Sequence, residues 1–272
     1  MKRAAFFDLD KTLVPGSSLF LLARGMYERD FYRARDIARL ALGQFAFRTL
    51  GKETPAGMEK SRNAALEFVK GRHADELRAL GGEIAEEQIL PRVYADIAHV
   101  IRQHADAGDE TWLMTAAPQE LAQVVASALG MTGARGTIAG IDDAGRYTGE
   151  LVGDIAHSPA KAKIAEELAT TREIDMRESS AYSDSINDLP LLESVGHPHA
   201  VNPDHQLRRI ARARGWPIHE LRTRRRTLLI GVPSALGGAA LFGAGVAVGA
   251  YATRRRIAAS RPGRRALRRN LA

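Results

Sequence analysis

Two aspartates spaced two residues apart, Asp8 and Asp10, close the apolar run Ala4-Ala5-Phe6-Phe7 and precede Lys11-Thr12-Leu13. A short apolar run ahead of a Pro15-Gly16 breaker predicts a buried strand of a parallel sheet. In open α/β sheets the chemistry gathers at the carboxyl ends of the strands, which is where both aspartates would lie. Residues at i and i+2 of an extended chain share a face, so the two carboxylates are expected to address one small site. Like charges that close together are costly unless a cation or a shared proton compensates them. Taken alone, the pattern also suits a solvated turn at a strand end, where Asp is common.

Three further stretches carry groups that would complete such a site. Thr111-Trp112-Leu113-Met114-Thr115-Ala116-Ala117-Pro118 reads as a second apolar strand ending at a hydroxyl residue and opening into a helix with Pro near its start. Lys161 stands just inside a helix that begins around Ser158-Pro159. Ala181-Tyr182-Ser183 reads as a strand end, followed by the acidic loop Asp184-Ser185-Ile186-Asn187-Asp188.

The elements that must position these groups follow from periodicity. From about residue 17 to residue 107 the pattern is helical, with Leu19, Leu22, Ala23 and Met26 at i, i+3, i+4, i+7 spacing. Ile37, Leu40 and Ala41, and later Ala65, Phe68 and Val69, continue it, punctuated by Gly51, Gly71, Gly81-Gly82 and Pro91. A helical insertion between neighbouring strands predicts a second, smaller domain. After Thr115 a helix is expected through Leu121, Val124, Val125 and Ala128 to a stop at Gly130. Residues 137–141 and 147–152 flank Asp142-Asp143-Ala144-Gly145-Arg146 as a hairpin. Strands over 178–182 and 199–201 and a helix over 204–214 complete the expected α/β sandwich. His197, His199 and His205 match no common zinc spacing, and Pro198 and Pro203 suggest loops, so these are read as ordinary surface or loop histidines.

The order strand–Asp-x-Asp-x-Thr, strand–Thr, Lys, strand–Asp-x-x-x-Asp resembles the haloacid dehalogenase (HAD) superfamily. The resemblance runs from Lys2 to about Leu221 and includes Leu189-Pro190-Leu191-Leu192 and Val201-Asn202-Pro203-Asp204. It is similar to subfamily IB, the branch that contains the phosphoserine phosphatases. The resemblance implies an α/β fold, a Rossmannoid parallel sheet with an inserted helical cap. Residues 1–16 and 108–221 would form the catalytic core and 17–107 the cap, closing on substrate to exclude water.

The resemblance also implies Mg²⁺-dependent hydrolysis of a phosphomonoester, since Mg²⁺ is the hard, oxygen-preferring bridge for such chemistry. Asp8 would be the nucleophile that becomes an aspartyl-phosphate, and Asp10 the general acid and base. The metal would be held by Asp8 and Asp184 through their side chains and by Asp10 through its backbone carbonyl. Thr115, the Ala116 backbone N–H and Asn187 would contact the substrate. Lys161 would be the fixed cation, with Lys163 on the same helix as the alternative, and Asp188 would orient Lys161 or metal-bound water. The usual glycines before this lysine are replaced by Ser158-Pro159-Ala160. Phosphoserine phosphatases carry a Glu after the first motif that reads the substrate amine; here Ser17 stands in that place, and Glu28 is the nearest substitute. That departure weakens a strict phosphoserine assignment, and the expected substrate is a small or lipid-linked phosphate. The alternatives are a phosphoserine phosphatase proper and a non-catalytic, membrane-anchored phospho-ligand binder.

The 272-residue chain has no cysteine, which excludes disulfides and thiolate metal sites and fits a reducing compartment. With a strand expected almost at the first residue, no secretory signal peptide is expected. The formal charge of +7 is concentrated near the carboxyl end. There a basic linker, 222–227, precedes an uncharged Gly/Ala-rich run at 228–251, and an Arg-rich tail follows at 252–272. A bilayer core takes about 20 apolar residues, so 228–251 is expected to be a single transmembrane helix, with Arg flanks that snorkel to headgroups. The catalytic domain is expected on the cytoplasmic side, with the tail at anionic lipid; nucleic acid is not expected, because aromatic interleaving is missing.

Overall fold

The computed structural model describes residues 1–29, 31, 66, 69–153 and 159–221. Strand β1 (Ala4–Asp8) is buried along its whole length. It lies in a six-stranded sheet with β2 (Glu110–Pro118), β3 (Gly133–Thr137), β6 (Ser180–Ser183), β7 (His197–Val201) and β8 (Ile218–His219). Its order is β3-β2-β1-β6-β7-β8, and its strands are parallel. Strands β4 (Ala139–Ile141) and β5 (Tyr147–Leu151) form a separate antiparallel hairpin, whose turn is closed by Asp142 accepting from the Ala144 and Arg146 N–H groups.

Between β1 and β2 come α1 (Ser18–Glu28), α2 (Ala74–Ile84) and α3 (Ala95–Asp106), and α4 (Gln119–Ala128) follows β2. Helices α5 (Pro159–Arg172), α6 (Leu189–Ser194) and α7 (His205–Arg214) come later. The strands sort their side chains by the period of two that a pleated strand imposes. Ala5, Phe7, Leu113, Tyr182 and Val201 join the cluster that holds α1 to α4. Ala4, Phe6, Met114, Ala181 and Ala200 join the cluster containing Ala165 and Leu168 of α5, Leu191 and Leu192 of α6 and Leu207 of α7. Asp8, in phase with Ala4 and Phe6, is thereby aimed at the face covered by α5.

Several expectations are corrected. Strand β2 does not end at Thr115 but runs to Pro118, and its register with β3 shifts between Met114 and Pro118. The Thr115 hydroxyl oxygen accepts from the Ala117 N–H at 3.1 Å, a local bond that competes with the ladder. Leu19 is exposed; the buried stripe of α1 is Ser18, Leu21, Leu22, Gly25 and Met26. Gly25 is required there, because an added Cβ would meet the Ile84 side chain of α2 at 2.7 Å. Strand β6 begins at Ser180, since Met176–Glu178 forms a 3-10 turn.

Strand β7 begins at His197, two residues before the expected 199–201, and so covers Pro198, whose place suggests a loop. The Pro198 nitrogen faces the β8 side before β8 begins, so its missing donor costs nothing; Ala200 and Asn202 donate there to Pro217 and His219. His199 is not an ordinary loop histidine. It stacks on Tyr182 at 4.4 Å and its Nδ1 lies 3.1 Å from His219 Nε2. The helical expectations over 37–41 and at Ala65 and Phe68 lie outside the described residues, as does everything from residue 222, including the expected span at 228–251. Among the described residues no helix is long and apolar enough to cross a membrane.

Burial, with three neighbouring histidines, holds the His199 imidazole down from 6.5 to about 4. Between those values the unfolded chain binds the proton and the folded chain does not, so stability falls as pH falls through this window. Thermal melts should therefore drop as pH is lowered from 7 to 4.5, and His199→Phe, which keeps the stack and cannot titrate, should show a shallower drop. Equal slopes would mean that His199 does not govern it.

Candidate active site

Register brings the chemistry-bearing residues to one sheet edge. Asp8 pairs with Met114, so Thr115 lies one residue beyond it; Phe7 pairs with Tyr182, so Asp184 lies two beyond. From β1 the sheet is built outward in both directions, through β2 on one side and β6 on the other, which makes this edge the topological switch point.

Asp8 is 7% exposed and Lys161 is 3% exposed. The Lys161 ammonium donates to Asp8 Oδ1 at 2.5 Å and to Asp188 Oδ2 at 2.7 Å. Asp188 Oδ2 also accepts from the Ser183 hydroxyl at 2.7 Å. The alternative lysine is not part of this bridge: Lys163 is exposed and pairs with Glu167 at 3.9 Å. Lys161 shares the buried stripe of α5 with Ala165 and Leu168 at i, i+4, i+7, and Lys163 is off it. Its place in the first turn opposes the helix dipole, so its charge depends on the two carboxylates.

Burial raises the Asp8 carboxyl to about 7; Lys161 opposes this, and Asp188 and Asp184 add to it by repulsion. Burial likewise raises Asp184 to about 6, opposed by Lys11 and reinforced by Asp188 and Asp204. The Lys11 ammonium stands 3.8 Å from Asp184 Oδ2.

Asp10 does not share a strand face with Asp8. The strand ends at Asp8, and the chain turns so that the Leu13 and Val14 N–H groups both donate to the Leu9 carbonyl, with Lys11 at φ +62°. Asp10 Oδ1 instead accepts from the Ser18 N–H at 2.8 Å, at the start of α1. Thr115 is buried, and because its oxygen accepts from Ala117, its own proton is available to an acceptor. Ala116 is exposed. Asn187 is exposed on the 3-10 turn Ile186–Asp188, where its N–H donates to Ser185 Oγ. Ser17 caps α1 through the Phe20 N–H. Glu28 is ten residues beyond Ser18, about 15 Å along the helix axis at 1.5 Å per residue, and is bound by Arg24 and Gln88.

The sequence reading assigned no role to Lys11, Ser183, Asn202 or Asp204. Asp204 accepts from the Ile186 N–H and from the Gln206 and Leu207 N–H groups, while its own N–H donates to the Asp184 carbonyl. An Asp directly after Pro and before a helical pattern is an N-cap signal, and here the cap also fixes the acidic loop.

The family model described as haloacid dehalogenase-like hydrolase matches residues 5–193. The chain belongs to this family. HAD relatives extend the match: a protein named phosphoserine phosphatase SerB1 from Mycobacterium tuberculosis is 45% identical, covering 93% of this chain and 80% of that one. A Streptomyces azureus protein named for inhibition of morphological differentiation is 36% identical, covering 94% and 95%. A crystal structure of a protein of unknown function from Bordetella pertussis is 31% identical with a TM-score of 0.72, covering 81% of this chain and 99% of that one. A substrate-bound phosphoserine phosphatase, at 16% identity and TM-score 0.53, shares the HAD fold.

Lys161→Met would leave two buried carboxylates without their cation and should cost about 3 kcal/mol, whereas Lys163→Met should cost under about 0.5 kcal/mol. Urea unfolding in metal-free buffer distinguishes them; similar losses would contradict the buried bridge.

Proposed function

We propose that this HAD protein is a Mg²⁺-dependent phosphatase that hydrolyses a phosphomonoester through an aspartyl-phosphate on Asp8. The observation that carries the reading is the buried Asp8–Lys161–Asp188 bridge at the carboxyl edge of β1. The names of its relatives support phosphate-ester chemistry.

The donor set fits a hard divalent cation. Asp8 and Asp188 are buried against the Lys161 ammonium with Asp184 buried close by, and repulsion among these carboxylates adds to the burial that raises Asp8 and Asp184. A dianionic phosphate needs added positive charge to enter such a site. Among the described residues no three His, Asp or Glu side chains form a cage by themselves. The assigned set needs two carboxylates, Asp8 and Asp184, with the Asp10 carbonyl. When bound, the metal would supply charge neutralisation at the phosphoryl oxygens.

In the first step Asp8 Oδ2 attacks phosphorus, the bond from phosphorus to the ester oxygen breaks, and Asp10 gives its proton to the leaving alkoxide. In the second, Asp10 takes a proton from water, whose oxygen attacks the same phosphorus, releasing phosphate and restoring Asp8. Lys161 holds Asp8 Oδ1 throughout, Asp188 and Ser183 hold Lys161, and Thr115, the Ala116 N–H and Asn187 take phosphoryl oxygens.

The substrate we infer is a small or lipid-linked phosphate. Glu28 is too far along α1, and too well bound, to read the amine of a small substrate near Asp10. Phosphoserine is the second reading, favoured by the name of the Mycobacterium relative. We further assign residues 228–251 as a single membrane span that tethers the catalytic domain on the cytoplasmic side.

Asp8→Asn should lower turnover of p-nitrophenyl phosphate by about 1,000-fold or more while the melt is retained, and EDTA should abolish wild-type turnover until Mg²⁺ is restored. Turnover undiminished in Asp8→Asn would refute the assignment. A higher kcat/KM for phosphoserine than for glycerol-phosphate lipids would select the second reading. After alkaline carbonate washing, the full chain should stay with membranes and a chain ending at residue 221 should not; release of both would remove the span.

A further inference from the structure

We infer that Asn202 is a positioning residue for the proposed reaction, holding the turn after β1 that carries Asp10; this rests on the role proposed for Asp10. Asn202 follows β7 and is 1% exposed. Its Nδ2 donates to the Lys11 carbonyl at 3.0 Å, and its Oδ1 accepts from the Leu221 N–H at 2.8 Å. Its own N–H donates to the His219 carbonyl at 2.8 Å. A carbonyl can only accept and an amide N–H only donate, so these partners determine the orientation of the side-chain amide.

The bond falls on a strained place. Lys11 adopts φ +62° and Asn202 itself φ +45°, a region that residues other than Gly enter at a cost. Two such residues joined by one part-buried hydrogen bond form a clamp across 191 positions of sequence. What it clamps is the turn over residues 9–14, which carries the proton donor Asp10 just past the nucleophile. Fixing the Lys11 carbonyl fixes the plane of the peptide that follows Asp10 by one residue, because the peptide unit is rigid. It also sets the stem from which the Lys11 ammonium reaches Asp184. The reacting groups must stand within a fraction of an ångström of their productive positions, and a 1 Å displacement costs roughly 100-fold.

Asn is also a residue that tolerates positive φ, so a purely conformational role must be separated from the clamp. Asn202→Gly does so: glycine adopts this φ freely but removes the amide. Asn202→Asp is the isosteric companion; it keeps the acceptor for Leu221 and faces the Lys11 carbonyl with an oxygen in place of a donor.

The test combines hydrogen–deuterium exchange with kinetics on the full chain. In Asn202→Gly, exchange over residues 9–14 should accelerate by about 10-fold or more, as expected for a lost part-buried bond, while α4 is unchanged. With p-nitrophenyl phosphate, kcat should fall by about 10- to 100-fold with KM within about 3-fold, and the melt should stay close to wild type. Asn202→Asp should show the same kcat loss. Unchanged exchange over 9–14 in a folded Asn202→Gly protein overturns the clamp, whether or not the protein proves to be a phosphatase. Accelerated exchange with undiminished kcat overturns the positioning role. Absence of wild-type turnover refutes the proposed function and the positioning role that rests on it, while the exchange result still decides the clamp.

Discussion

A buried ammonium between two buried carboxylates is the interaction on which this structure turns. Lys161 lies in the first turn of α5, where a helix repels a cation, and almost without water. Removing an ion from water costs several kcal/mol, and only close opposite charges offset that cost. Asp8 from β1 and Asp188 from the 3-10 turn after β6 provide them. Three elements distant in sequence are thus joined at one point, and each needs the other two.

The bridge leaves a surplus of negative charge. Asp184 adds a third buried carboxylate, and both it and Asp8 hold protons more tightly than ordinary aspartates. A surplus of this kind is unfavourable for the fold alone and suited to a site that receives a cation and a phosphoryl group. Around it runs a second layer that touches no reacting atom. Ser183 secures Asp188, Asp204 ties the acidic loop to the start of α7, and Asn202 ties the first turn to the end of β7. Parallel strands deliver the residues to one edge, and these bonds fix their orientation.

Much of this was legible in the sequence, for reasons that can be named. The apolar run of β1 and the order of Asp8, Thr115 and Asp184 on apolar strands, with Lys161 just inside a helix, report a parallel α/β sheet, and the fold follows from them. That Lys161, not Lys163, is the buried lysine is written in the stripe 161–165–168, once helix periodicity is applied to the lysine itself. Asp10 was misplaced because an i, i+2 rule holds only while the chain stays extended, and here it turns after Asp8. Pro198 disguised β7, since a proline is compatible with a parallel strand when its missing donor faces an unpaired side. At two residues, β8 is too short to carry a period. The clamps at Asn202 and Asp204 were visible as residues but not as contacts, because their partners lie far away in the chain or depend on backbone turns that no pattern announces.

The most direct measurement is the location of the phosphoryl group during turnover. Wild-type protein mixed with excess phosphomonoester, acid-quenched within one turnover, reduced with borohydride and digested should show homoserine at position 8, formed only from an acyl phosphate there. Homoserine at another position, or none while ¹⁸O from water enters phosphate in a single direct step, would contradict Asp8 as the acceptor and with it the purpose assigned to the buried bridge.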